Sequence, residues 1–144
     1  MAVRNRIPKD EKSVKRTVDK MLNNILNLGF VKLILPNACL IYMERHPLDV
    51  ALSCFLTPFE GRGTPWAWNL TNIGYRYKAI HEMHKHWMHV MPEAILTVRY
   101  ETLVTNFQQE ARRILTHCGL EWQEAVTEFH KTQRTIHTAS QSQV

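Results

Sequence analysis

The sequence predicts an α/β domain organised around a parallel sheet, on three observations. Two short runs, Cys39-Leu40-Ile41-Tyr42-Met43 and Ile95-Leu96-Thr97-Val98, are almost entirely apolar, the pattern of strands covered on both faces. The stretch between them repeats its apolar residues at helical intervals, which supplies the crossover that a parallel pair needs. Pro36, Pro47, Pro58, Pro65 and Pro92 fall between these segments rather than inside them.

Each element has its own local reason. Arg4, Arg6, Lys9, Lys12, Lys15, Arg16 and Lys20 outnumber the acids at the start, so residues 1–15 read as a loose, solvated basic segment ahead of a domain spanning 16–144. Residues 22–35 place Ile25, Leu28 and Leu33 at helical intervals and stop at Pro36-Asn37, giving a first helix. The first strand ends at Glu44-Arg45-His46-Pro47, and Pro47 suits the opening position of a helix over about 48–56. Residues 57–65 have the composition of a loop. From Asn69 onward Leu70, Ile73, Tyr77, Ile80, His84, Trp87 and Met91 form one stripe of a long helix that Pro92 ends. After the second strand, Asn106 with Gln109 resembles a capping box opening a helix through Ala111, Ile114, Leu115 and Cys118, with Gly119 as its C′ residue. A last short helix is expected to set Trp122, Ala125, Val126 and Phe129 against the core, and the tail after Thr132 is expected to be loose.

Composition narrows the function classes. With 44% hydrophobic and 22% charged residues, a 144-residue chain has the make-up of one soluble domain rather than a disordered one. A formal net charge of +5 and a pI near 9.3 favour anionic partners. Cys39, Cys54 and Cys118 are far apart in sequence with no C-x-x-C pair, so they read as small core residues without a disulfide framework. No apolar stretch is long enough to span a bilayer and Met1 leads into charged residues, so no membrane segment is expected, and the reduced-looking cysteines suggest a cytoplasmic location. His81, His84, His86 and His89 scatter around one helix without Cys or acidic partners at zinc spacing; they read as a polar face with one semi-buried His84, and no metal is expected. Trp66, Trp68, Trp87 and Trp122 are not interleaved with basic residues, so they read as packing residues and no nucleic acid is expected. The G-x-x-x-x-G-K-[ST] loop of nucleotide kinases and ATPases is absent.

Ligands of open parallel sheets sit beyond the carboxyl ends of the strands, which draws attention to the residues after Met43 and after Val98. Arg45 is one of them, and Ser53 follows eight residues later on the next helix. A planar guanidinium and a hydroxyl are able to grip one phosphate from two sides. Taken alone, the pair fits an ordinary helix surface better than a phosphate site.

The surrounding residues carry a family resemblance. Leu35-Pro36-Asn37-Ala38 followed by Leu40-Ile41-Tyr42-Met43-Glu44-Arg45-His46-Pro47-Leu48-Asp49-Val50-Ala51-Leu52-Ser53-Cys54-Phe55 resembles the 3′-phosphate-binding segment of sulfotransferases that use 3′-phosphoadenosine 5′-phosphosulfate (PAPS). Val18-Asp19-Lys20-Met21-x-x-Asn24 is similar to the family's T-D-K-x-P-x-N segment, with Leu22 in place of the proline. Trp66-Ala67-Trp68-Asn69-Leu70, Val98-Arg99-Tyr100-Glu101-Thr102-Leu103-Val104, His117-Cys118-Gly119-Leu120-Glu121-Trp122 and Phe129-His130 resemble bacterial members, and Thr138-Ala139-Ser140-x-x-Gln143-Val144 resembles a late cofactor segment.

That resemblance implies a P-loop-like three-layer sandwich with a parallel sheet, here incomplete: its N-terminal strand and Gly-rich phosphosulfate loop have no counterpart before Asp19. It implies transfer of a sulfuryl group from PAPS, as co-substrate, to a hydroxyl acceptor, with tyrosine, carbohydrate and small molecules all open. Arg45 and Ser53 are the expected holders of the 3′-phosphate and Tyr100 a neighbour of the nucleotide. Lys20 and Ser140 are the expected catalytic residues on the sulfuryl oxygens, without a metal. The general base has no evident counterpart. Two alternatives stay open: a non-catalytic 3′-phosphonucleotide-binding module, and an inactive fragment that needs a complementing chain.

Overall fold

A computed structural model of the chain describes residues 16–57, 59 and 64–131. Two strands, β1 (Leu40–Glu44) and β2 (Ile95–Arg99), pair in parallel, with Leu40 opposite Ile95 and Glu44 opposite Arg99. The crossover between them contains α2 (Pro47–Leu56) and α3 (Leu70–Val90), and α1 (Leu28–Ile34) precedes β1. After β2 the chain enters α4 (Tyr100–Thr105) and α5 (Phe107–His117). The predicted α/β class with a parallel pair is thus observed.

The long helix forms where its stripe and caps predict. The Asn69 side chain accepts a hydrogen bond from the backbone N–H of Asn72 at 3.1 Å, and Met91 with Pro92 ends the helix. Ile73 and His84 are buried along its inner face, and Ile80, Met83 and Trp87 pack onto a cluster of Ile25, Leu28, Leu40 and Ile95. Trp87 locks this face: its indole N–H donates to the carbonyl of Ile25 at 2.6 Å. Its ring lies so close to α1 that a Cβ on Gly29 would stand 2.9 Å from it, so only glycine fits there without a shift. At the other end of the fold, Gly119 has φ +63°. Gly119 N–H donates to Thr116 and Leu120 N–H to Leu115, the paired bonds that close α5 in a Schellman motif.

Several expectations are corrected. β1 is covered on one face only: Leu40 is buried and Tyr42 half-buried, whereas Ile41 and Met43 are 40% and 48% exposed. Side chains alternate along a strand, and among the described residues the helical layer packs on a single side of β1. The first helix is a 3-10 turn, Leu22–Asn27, running into the short α1, and Leu33 is exposed. Leu70, at the start of the α3 stripe, is also exposed. No capping box forms at Asn106, because that residue simultaneously ends α4, its N–H donating to Thr102 at 2.8 Å. The last helix is replaced by two 3-10 turns, Glu124–Val126 and Phe129–Lys131, with Ala125 and Phe129 exposed. Cys39 is exposed rather than buried, and it lies near Cys118, whose thiol pKa is raised chiefly by burial. The neighbouring bond from His117 Nε2 to the carbonyl of Leu40, 3.1 Å, keeps those two chain segments together.

His84 is more deeply placed than its helix face predicts. Its ring stacks on Tyr42 at 3.8 Å between centroids, and Nε2 lies 3.0 Å from Thr97 Oγ1, which in turn donates to Met88 Sδ. The Thr97 hydroxyl therefore accepts from His84, which places a proton on Nε2. Burial lowers the His84 pKa below its usual 6.5, with Glu44 opposing and His81 adding to the effect. A base with a lowered folded pKa binds protons more weakly in the fold than in the unfolded chain, so its contribution is full above about pH 6.5 and declines as pH falls. Urea unfolding midpoints are expected to drop between about pH 7.5 and pH 5, and His84→Phe, which keeps the stack on Tyr42, is expected to remove most of that drop. An unchanged pH dependence in the variant would contradict this assignment.

Candidate functional site

The register of the sheet creates the site. Because Glu44 pairs with Arg99, the residues that follow them, Arg45 and Tyr100, leave the two strands at the same level. The Arg45 guanidinium carbon lies 4.9 Å from the centre of the Tyr100 ring, over its face. Such a stack orients the guanidinium plane and leaves its edge N–H groups for another partner. Its charged contact is Asp49, one helical turn on, with Nε 3.8 Å from Oδ2; both side chains are about half exposed. Among the described residues the guanidinium donates no short hydrogen bond.

Glu101 ties the two strand ends together. Its Oε1 accepts the backbone N–H of His46, the residue immediately before α2, at 2.8 Å. Its other oxygen, Oε2, is buried without a partner among the described residues. The His46 N–H and then its own backbone N–H hold the Glu101 carboxyl below the usual carboxylate range, outweighing its desolvation, with Arg99 adding to the effect. Sequence reasoning singled out neither Glu101 nor Asp49. Asp49 was detectable from its i,i+4 spacing to Arg45. Glu101 was not, because its partner is 55 residues away.

The remaining predicted residues are more dispersed. Ser53 is exposed on α2, and its own carbonyl accepts from Thr57 Oγ1 at 2.6 Å; it lies about 9 Å further along the helix than Pro47 and makes no hydrogen bond with Arg45. Lys20 is exposed on the segment before the Leu22–Asn27 turn. Its neighbour Asp19 accepts from Asn24 Nδ2 at 3.0 Å, a local tether within the motif that carries Lys20. Ser140 lies outside the described residues. An open apolar depression of about 340 Å³, lined by Phe55, Leu56, Thr57 and Trp68, sits at the far end of α2 from Arg45. Among the described residues no group of three or more His, Cys, Asp or Glu side chains is placed to hold a metal ion.

With this geometry in place, comparison with known proteins decides the family. The model of the sulfotransferase family matches residues 2–124. The chain belongs to the sulfotransferase family. A curated relative, an uncharacterized protein of Aquifex aeolicus (strain VF5), is 33% identical over 142 residues, covering 97% of this chain and 19% of the relative. The chain thus spans about a fifth of the length of that relative. No solved structure matches it. The family match contains Lys20, Arg45, Ser53 and Tyr100 and ends before Ser140. Among the described residues of this sulfotransferase-family chain, no helix is long and apolar enough to cross a membrane.

Asp49 competes with any anion for Arg45. An exposed ion pair is worth about 0.2 to 1 kcal/mol, so Asp49→Asn is expected to tighten binding of a phosphate-bearing ligand by roughly two- to five-fold at low salt. The gain should shrink as ionic strength rises past about 0.15 M, where exposed charges are screened. Weaker binding by the variant would mean that Asp49 orients Arg45 rather than competing for it.

Proposed function

We propose that this chain carries the PAPS-binding half of a P-loop-like sulfotransferase domain that transfers a sulfuryl group to a hydroxyl acceptor. The observation that carries the reading is the Arg45 guanidinium, stacked on Tyr100 at the carboxyl end of a parallel pair with its edge donors uncommitted among the described residues. In this reading the guanidinium takes the 3′-phosphate of PAPS, Ser53 contacts it from α2, and Tyr100 lies beside the nucleotide. The fit is chemical: a half-exposed, oriented fork of N–H donors suits a dianionic phosphate.

Sulfuryl transfer resembles phosphoryl transfer in asking the protein mainly for position and charge. The acceptor oxygen forms a bond to sulfur as the bridging S–O bond to the 5′-phosphate breaks, releasing adenosine 3′,5′-bisphosphate. The acceptor proton leaves to a base that these residues do not identify. Lys20 and Ser140 would stabilise the charge spread over the sulfuryl oxygens, and Arg45 with Ser53 would hold the far end of the nucleotide in line. A non-catalytic 3′-phosphonucleotide-binding module is the second reading: no G-x-x-x-x-G-K-[ST] run occurs in these 144 residues.

Calorimetric titration with adenosine 3′,5′-bisphosphate, using adenosine 5′-monophosphate as control, tests the reading. The bisphosphate should bind more tightly. Arg45→Ala should weaken it about ten- to a hundred-fold, the loss of a charge-assisted hydrogen bond worth about 1.5 to 3 kcal/mol, with little effect on the monophosphate. A cooperatively melting chain that binds both nucleotides equally would sink the proposal. Binding without release of the bisphosphate from PAPS in the presence of phenolic or sugar hydroxyls would select the second reading.

A further inference from the structure

The acid at position 101 is placed where an anion site should least tolerate one. It sits at the start of α4, next to Tyr100, and touches the backbone of His46, next to Arg45. A carboxylate there repels an incoming phosphate, and its Oε2 is buried without a partner among the described residues, which carries a further desolvation cost. What the residue gains is a single long-range bond, Oε1 to the His46 N–H at 2.8 Å. That bond fixes the turn between β1 and α2 to the end of β2. The same turn carries the Arg45 side chain across to the Tyr100 ring.

Resting on the proposed 3′-phosphate reading, we infer that Glu101 is a positioning residue: by holding the His46 backbone it sets the Arg45 guanidinium against Tyr100 for the 3′-phosphate. The bond spans the gap between the two strand ends. Ion pairing between Arg45 and Asp49 joins the β1–α2 turn to the helix that follows it and does not reach the end of β2. Without the tether, the backbone bond that holds the β1–α2 turn among the described residues is that of the helix it opens, Val50 N–H to the His46 carbonyl at 3.0 Å. Arg45 would then sample orientations away from Tyr100.

Charge and position predict opposite signs, which makes the inference decidable. If Glu101 acted only through its charge, removing that charge would tighten binding of any anion. If it positions Arg45, Glu101→Met, which keeps the volume but has no acceptor, should reduce the preference for adenosine 3′,5′-bisphosphate over adenosine 5′-monophosphate by about five-fold or more. Glu101→Gln keeps an acceptor for the His46 N–H and should restore that preference to the wild-type value or above it. In the same chains, hydrogen exchange of the His46 amide should be slow in wild type and Glu101→Gln and fast in Glu101→Met.

The outcomes separate cleanly. Retention of the 3′-phosphate preference by a folded Glu101→Met chain overturns the positioning role while leaving the 3′-phosphate reading intact. A wild-type chain without that preference overturns both. Loss of preference in Glu101→Gln as severe as in Glu101→Met, with the His46 amide still protected, also overturns the inference, because the tether would then be present without its effect. If Glu101→Met fails to melt cooperatively, Glu101→Asp, which keeps the charge but withdraws it from the His46 N–H, makes the same comparison: a kept 3′-phosphate preference with a fast-exchanging His46 amide overturns the inference.

Discussion

Parallel strands whose ends are level place the two following residues side by side, and the candidate site of this chain is built from that constraint. β1 and β2 share five residue pairs, from Leu40 with Ile95 to Glu44 with Arg99, so the chain delivers Arg45 and Tyr100 to the same edge. A slip of one residue would turn each side chain to the opposite face and separate the guanidinium from the ring. The crossover must therefore be held firmly. Much of the packing does this: Trp87 fastens α3 to the segment before α1, and His84 stacks on β1 while bonding to β2. Arg113 braces the same strand from α5, donating to the Thr97 carbonyl at 2.9 Å while paired with Glu110.

Features set by local chemistry were legible in the sequence. Asn69 caps the helix it was expected to open, Pro47 stands at the first position of α2, and Gly119 takes the positive φ that a C′ residue needs. The periodic stripe of α3 points inward through Ile73 and His84. The arrival of Arg45 and Tyr100 at one edge also follows from two strand assignments and the rule that sites gather at carboxyl ends.

Features set by distant partners were not legible. An all-apolar strand implies cover on two faces, yet only one side of β1 is packed among the described residues, and the sequence of the strand alone carries no record of which side. Asn106 has the composition of an N-cap but is shared between two helices, and the end of α4 decides its backbone angles. Cys39 and Cys118 are separated by most of the core and meet only because α5 returns to the start of β1. Glu101 belongs to the same class. An acid in the first turn of a helix looks like ordinary dipole compensation until the opposite strand end is known.

The uncovered side of β1 bears on how the chain behaves at high concentration. Ile41 and Met43 lie on a strand that, in the two-stranded sheet of the described residues, also has an unpaired edge, and such strands are templates for pairing with another copy. Mutual repulsion from a net charge of +5 opposes that pairing and weakens as salt is added. Phosphate and sulfate buffers have a second action, since both strengthen apolar association. Phosphate and sulfate thus act on this surface twice, by screening its charge and by strengthening apolar contact, so colloidal stability falls further in them than in chloride of the same ionic strength.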